Sequence, residues 1–527
     1  MTFISIFNDV LGPVMRGPSS SHTAGSYRIA RLARSLFSEA PARAKLTFDP
    51  RGSYAQTFRQ QGADLAFVVG FLDRPLTDDR FREMLDIADA EGLDLSFAVE
   101  SLPGAEHPNT VRIELEGGGG SRCVLTAEST GGGGVRIREI EGFPVEISGK
   151  TGDVFVWTKK ESAQAVVKIL SNSGPDINAS EIAGKGDEVL VAAYGANVPP
   201  EGSCGGRPFD DLKARLASLP GVRSVRVAYP VFFVRRGDPP FSSGADMIAF
   251  AEAQGKSLGE AAIAYESAVL GLSEAEILAE MAARFEVMRM SVKEGLAGRG
   301  DWMQQLRPTA AKILEAEKKG TLPAGGLHTR AAARAMAVMH MTNSAGIVCA
   351  APTGGSAGTL PGVAVTLAED MGFPEDRVLR ALFAASAAGL IIAQRATFAA
   401  EVAGCQVEIG AAGAMAAAAV VEAAGGTARQ AADAAAIALQ NTMGSVCDLV
   451  QGACEIPCHT RNAAAAASAF VCADLILGGY DNPIPLDETV DASLASGRML
   501  PSELRCTSRG GIAVAPSALA LPSLRAE

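Results

Sequence analysis

Apolar positions along this chain change their period from one region to the next. Between Met1 and about Gly149 two periods mix. In SHTAGSYRIARLARSLF the residues Ala24, Tyr27, Ile29, Ala30, Ala33, Leu36 and Phe37 recur at helical spacing, which predicts a helix. VRIELEGGGGSRCVLTA predicts two strands closed by a glycine-rich hairpin, and ADLAFVVGFL reads as a further strand. From about Lys150 to Arg235 the runs GDVFVWTK, ESAQAVVKILSNSG, INASEIAG, EVLVAAYGA, FDDLKARLASLPG and VRSVRVAYPVFFV read in order as β-α-β-β-α-β, with Gly174 placed as a helix cap. That order is the one found in ferredoxin-like folds. GDPPFSSGADM then reads as a linker. Beyond it helical periodicity dominates, most strongly in EAEILAEMAARFEVMRMSVKEGL. From about Thr329 to Ala473 the chain is crowded with Ala and Gly, small residues that let helix backbones approach closely.

Composition narrows the class. At 527 residues, 48% hydrophobic and 20% charged, the chain can bury more than one core and is too apolar for disorder. A net charge of −12 without a long basic run gives no footing for nucleic acid or an anionic membrane. MTFISIFNDVLGPVM has no basic n-region and no small-residue cleavage site, so it does not read as a signal peptide. Gln394, Arg395, Glu401 and Glu422 break the most apolar C-terminal stretches, which read as packed interior helices rather than membrane spans. These features point to a cytoplasmic protein. There, nine cysteines serve as buried thiols, metal ligands or redox groups rather than disulfides.

The expected fold class is α+β multidomain. An N-terminal α/β domain covers 1–149, a βαββαβ domain resembling the ACT type in topology covers 150–235, and an all-α domain covers 236–527. The first strand-to-helix turn of the central domain, WTKKESAQ, has no glycine to bring backbone against a ligand. Packing across a homodimer interface is therefore its expected role.

Candidate chemistry concentrates in short stretches. CDLVQGACEIPC, residues 447–458, puts three of the nine cysteines within twelve residues. The spacing is neither that of a zinc ribbon or thioredoxin-like site nor that of a bacterial ferredoxin. Spacing alone leaves buried structural thiols as an even alternative to a metal site. Cys458, however, just precedes the helical RNAAAAASAF, and a helix N-terminus favours a thiolate. Cys405 lies in the glycine-flanked GCQVEIG. In GPSSSHTAG, residues 17–25, serines, His22 and Thr23 precede a helix. The plain reading is an N-cap; the same geometry suits a substrate carboxylate, with His22 available for acid–base work. APTGGSAGTLPG, residues 351–362, reads as a flexible turn. EGGGGSR and STGGGGVR superficially suggest a phosphate loop for pyridoxal phosphate. Strand-like sequence flanks both, and no lysine stands in a Schiff-base motif.

GCQVEIGAAGAM, CDLVQGACEIPCHTRNA, APTGGSAGTLPG and GPSSSHTAG together resemble the motifs of the bacterial iron–sulfur-dependent L-serine dehydratases (L-serine ammonia-lyases). EHPNT and RIREIEGFPVEISG are similar to that family's β portion, and the region after about Ser242 to its α portion, so the chain resembles the two fused. The resemblance implies deamination of L-serine to pyruvate and ammonia by dehydration. Threonine, cysteine or another β-substituted amino acid is the alternative substrate, and an iron–sulfur or amino-acid sensor the alternative role. It implies a [4Fe–4S] cluster on Cys405, Cys447 and Cys458, with Cys454 off the ligand positions and one iron open as a Lewis acid. It also implies that Ser19, Ser20, Ser21, Thr23, Thr353, Gly354 and Gly355 bind substrate and that His22 is the base. The implied partner is a small amino acid, with neither nucleic acid nor membrane.

Three features depart from the family pattern. Gln61 stands where a GHGTD-like stretch usually has histidine, and glutamine cannot take a proton. Cys506, in ELRCTSRGGIA, replaces an acidic residue. The sequence ends ALPSLRAE, without the terminal cysteine thought to block the open iron in some members.

Overall fold

The computed structural model describes residues 4–174, 177–198, 209–300 and 302–524. Its N-terminal part is built on a six-stranded sheet, in the order Asp94–Val99, Arg43–Phe48, Thr110–Glu116, Arg122–Gly131, Gly134–Ile140 and Phe143–Ile147. The first pair is parallel and the others antiparallel. The two glycine runs are its hairpin turns, and burial alternates residue by residue along Phe143–Ile147, as a sheet with one packed face requires. The predicted helix forms as Ala24–Phe37 and packs on the sheet and on helix Ala63–Phe71. That second helix was expected as a strand. Every one of its residues is buried, so its apolar run carries no period to separate helix from strand. Gly70 permits the close approach of the two helices: a Cβ there would stand 2.5 Å from that of Ala30.

The central region follows the predicted β-α-β-β-α-β order. Its four-stranded antiparallel sheet runs Val222–Ala228, Gly152–Lys159, Glu188–Ala196, Asn178–Lys185. Val154 and Val156 turn to the region's own core with Val166 and Leu170, whereas Phe155 and Trp157 join the main core. The first helix ends at Ser171 with Asn172 as its cap, two residues before the expected Gly174, because the final turn tightens onto the Ile169 and Leu170 carbonyls.

The C-terminal part is predominantly helical. At its centre is Ile409–Ala424, packed against Glu375–Arg395, Ala428–Gln440 and Cys458–Leu477. The stretch Cys405–Ala424 is long and apolar enough to cross a membrane, but 89% of its apolar window is buried inside the protein, as an interior helix should be. This part is not wholly α-helical. Ile347–Cys349 forms a strand that pairs antiparallel with Val14–Arg16, in the register Val14↔Cys349 and Arg16↔Ile347. Three residues are too few for a period to reveal.

That small ribbon matters because each strand leads into one of the candidate loops. It is extended by Gly12 N–H to the Ala350 carbonyl (2.9 Å) and Gly17 N–H to the Gly346 carbonyl (3.1 Å). Nearby, the buried Glu266 carboxylate accepts the Ile6 and Phe7 N–H groups at 2.8 and 3.1 Å, tying the N-terminal turn to helix Leu258–Leu270. One hydrophobic core accordingly runs from Ile6 through the large sheet into the C-terminal helices.

Candidate active site

The ribbon delivers the loops 17–23 and 350–358 side by side. Gly354 makes their contact possible: a Cβ there would lie 2.7 Å from Ser20 N and 3.0 Å from the Pro18 carbonyl oxygen. A single cavity opens at this junction. Ser19, Ser20, Ser21, Thr353 and Gly355 line it together with Cys447, Cys454, Cys458 and Cys506. Residues from both ends of the chain thus meet at one surface.

The serine loop does not cap its helix. Helix Ala24–Phe37 has Thr23 at its N-cap without a side-chain cap bond. Thr23 Oγ1 instead donates to the Arg16 and Ser19 carbonyls, at 2.9 and 2.8 Å, which fastens the loop and keeps Thr23 off the cavity wall. Ser19 Oγ and Ser21 Oγ lie 3.2 Å apart, with Ser21 Oγ 3.1 Å from Glu401 Oε1.

His22, the expected base, stands behind the serine loop. It is fully buried and absent from the wall. Its Nε2 lies 2.8 Å from Thr57 Oγ1 and its Nδ1 3.0 Å from Ser21 Oγ, so both nitrogens are engaged. Burial pushes its pKa down to about 4, against the opposing pull of Glu401. It is therefore a neutral ring that meets the cavity wall through Ser21 and through Ser19, whose Oγ lies 3.3 Å from Nδ1. Gln61, by contrast, is on the wall, with Nε2 donating to the Gly452 carbonyl at 3.2 Å.

The thiols form a compact buried group: Cys405, Cys447, Cys454, Cys458 and Cys506 pack together with Met339, Ile409 and Leu449. Every described cysteine is free and buried. Cys405 Sγ, Cys447 Sγ and a Glu408 oxygen all lie within 4.8 Å of one another, a spacing that suits a metal ion. The helix starts at Cys458 as predicted, but the adjacent Cys454 thiol and burial outweigh its dipole and hold the Cys458 pKa well above the usual thiol value. Cys447 and burial do the same to Cys405. A single guanidinium opposes this: Arg461 Nη1 stands 3.5 Å from Cys405 Sγ, with Nη2 donating to Asp448 at 2.9 Å. Cys506 joins the group through the backbone, its N–H donating to the Cys447 carbonyl at 2.8 Å.

Several polar residues escaped the sequence reading. Glu401 and Glu408 both line the cavity. Glu408 accepts the Thr353 hydroxyl, and burial raises its pKa to about 7. Asn109 Nδ2 donates to Glu401 Oε1 at 2.9 Å. Asn462 binds the 351–358 loop to the cysteine helix: Nδ2 donates to the Gly355 and Cys458 carbonyls, both at 2.9 Å, and Oδ1 accepts from Gly358 and Thr359 N–H. A signal existed for the two glutamates. They flank Cys405 in AEVAGCQVE, within an otherwise apolar stretch, and a buried carboxylate needs a reason to be there. The asparagines gave none, because the partners that place them in the site, Glu401 for Asn109 and Gly355 for Asn462, are more than 100 residues away. The second glycine hairpin also contributes. Gly131 and Gly132, with Phe398, line both this cavity and an adjoining groove of about 660 Å³.

The family model described as serine dehydratase alpha chain matches residues 253–513. A probable L-serine dehydratase α chain of Bacillus subtilis (strain 168) is 36% identical over 260 residues, covering 49% of this chain and 87% of its own length. A probable L-serine dehydratase α chain of Latilactobacillus sakei is 45% identical over 187 residues, 36% of this chain and 90% of its own. A probable L-serine dehydratase β chain of Bacillus subtilis (strain 168) is 39% identical over 187 residues, 35% of this chain and 83% of its own.

Proposed function

The chain belongs to the L-serine dehydratase family of iron–sulfur lyases, with α and β portions fused in one chain, and from that premise we propose that it is an L-serine ammonia-lyase forming pyruvate and ammonia by dehydration. The observation that carries the reading is the shared wall, on which hydroxyl-bearing loops meet buried thiols.

In this reading Cys405, Cys447 and Cys458 hold a [4Fe–4S] cluster. The donor set suits one: soft sulfur ligands, buried together, none of them in a disulfide. Burial and neighbouring thiols disfavour the thiolates, and a bound cationic centre offsets that cost. With three protein thiolates, such a cluster supplies one iron free to act as a Lewis acid toward a substrate hydroxyl. Arg461 supports the thiolate at Cys405 by its N–H contact.

The remaining roles fall to the chain's own side chains. Ser19, Ser20 and Ser21 bind the substrate carboxylate with hydroxyl and backbone donors. Thr353 and Gly355 contact the substrate from the facing loop, while Thr23 and Gly354 keep the two loops in register. Phe398 and the Gly131–Gly132 turn separate the site from the outer groove and limit water. After elimination the aminoacrylate tautomerises and hydrolyses in water without further help.

A cytoplasmic enzyme follows from this reading, homodimeric, with an ACT-like region at 150–235 that packs rather than senses. The test is pyruvate formation by protein purified without oxygen, screened on L-serine, L-threonine and L-cysteine. Turnover of L-serine is expected. Iron-loaded protein that converts none of the three contradicts the reading and leaves a sensor in its place.

A further inference from the structure

Removal of the Cα proton needs a base on the cavity wall, and the expected one is not there. His22 is fully buried behind Ser19, Ser21 and Thr57, with both ring nitrogens engaged. Gln61, which is on the wall, has no basic atom. Two carboxylates remain. Glu408 stands with the thiols, one of its oxygens within 4.8 Å of Cys405 and Cys447 Sγ, and its Oε1 takes the Thr353 hydroxyl. Glu401 stands with the serine loop.

Glu401 is held as a positioned base would be. Its Oε1 accepts two hydrogen bonds, from Ser21 Oγ at 3.1 Å and Asn109 Nδ2 at 2.9 Å. These donors come from residues 380 and 292 positions away, so the carboxylate is fixed from both the N-terminal loop and the large sheet. Asn109 Oδ1 finds no partner among the described residues, so the amide is oriented by Glu401 alone. Oε2 accepts no hydrogen bond from a described residue, which leaves one oxygen for the cavity. The titratable groups around Glu401 are His22, Tyr54 and His107 from the N-terminal part, and Glu408 and Cys506 from the C-terminal part.

Resting on the dehydratase reading above, we infer that Glu401 is the general base, with Ser21 and Asn109 as its positioning residues. The Cα–H bond breaks and its proton passes to Oε2. The C–H electron pair becomes the Cα=Cβ bond, and the Cβ–O bond breaks with the hydroxyl taking its pair. The abstracted proton and the departing hydroxide together make the water that is lost. Placing the base beside the serine loop keeps it next to the atom between carboxylate and hydroxyl, while Glu408 stays on the side where the hydroxyl leaves.

The experiment compares wild type, Glu401→Gln and Asn109→Ala, all purified without oxygen, for iron and sulfide content, kcat and KM with L-serine. Glu401→Gln should keep wild-type iron and lose about 10²–10⁴-fold in kcat, the usual cost of a missing acid–base group. Asn109→Ala should keep iron and lose about tenfold in kcat with KM unchanged, because Asn109 orients the carboxylate without touching substrate. Glu401→Gln within tenfold of wild type overturns the assignment. Should that variant lose iron or fail to fold, Asn109→Ala decides: an unchanged kcat overturns the assignment and a lowered kcat at constant KM upholds it. Iron-loaded wild type that makes no pyruvate overturns the dehydratase reading and this inference with it.

Discussion

The four-stranded region over Gly152–Ala228 and the cavity are built on opposite plans. In the first, all the strands of the sheet come from one continuous stretch of the chain. The Asn178–Lys185 and Glu188–Ala196 strands form a hairpin, and the helix Ala163–Ser171 packs on both of them. In the second, almost every contact is long-range: Ser21 to Glu401, Gln61 to Gly452, Asn109 to Glu401. The difference teaches where sensitivity lies. A sheet drawn from one stretch of chain tolerates a change at one point, whereas a site assembled from many distant segments depends on each loop keeping its place within a fraction of an ångström.

Substitutions can break that contrast, and the strongest acts at the loop junction. Gly354→Ala puts a Cβ against backbone atoms of Ser20 and Pro18, which cannot yield by a side-chain rotation. Parting the two loops should lower kcat/KM by about 10²-fold with iron content unchanged, since a displacement of about 1 Å is enough. Steady-state kinetics beside an iron assay reads this. Activity within twofold of wild type would mean that the loops need not touch.

A smaller effect is expected at Gln61. Histidine there would add an acid–base group to the wall and lose the hydrogen bond to Gly452. With Glu401 already placed, Gln61→His should change serine turnover by less than about tenfold, and a larger gain would locate the base at position 61.

The smallest effect on turnover belongs to the sheet region. Asp153, buried with Thr151 Oγ1 donating to it at 2.8 Å and Gly195 N–H at 3.2 Å, has its pKa raised by burial from 3.8 to about 7. The folded state therefore holds a proton that the unfolded state releases. This contribution is complete below about pH 4 and is lost as pH rises through about 7. Wild type should lose up to roughly 4 kcal/mol of stability relative to Asp153→Asn across that window, with kcat unaltered. Urea unfolding of both proteins at several pH values measures it. Parallel stability curves would show that the carboxyl is not buried in solution.

The same contrast explains what the sequence revealed. The β-α-β-β-α-β order was legible because each element carries its own period, and the helix Ala24–Phe37 because its apolar face repeats cleanly. Ala63–Phe71 was misread because burial on all sides erases the period. The strand Ile347–Cys349 was missed because three residues pair only when a distant partner is present. At the site, the cysteines and the serine loop were visible as unusual local composition. Glu401 carries a sequence signal only as a carboxylate beside Cys405, while Asn109 and Asn462 acquire meaning only through partners supplied by the fold. His22 is the converse: conspicuous in the sequence, yet buried behind Ser19, Ser21 and Thr57 in the fold.

The central claim is that three thiols out of a packed group of five hold a catalytic cluster at the meeting point of the chain's two ends. It is tested most directly by iron and sulfide content, with serine turnover, of Cys405→Ala, Cys447→Ala, Cys458→Ala and Cys454→Ala purified without oxygen. The first three should each lose the cluster and all activity, because too few anchors remain, while Cys454→Ala should keep both. A Cys454→Ala protein without iron, beside a Cys405→Ala protein that retains it, would contradict the account.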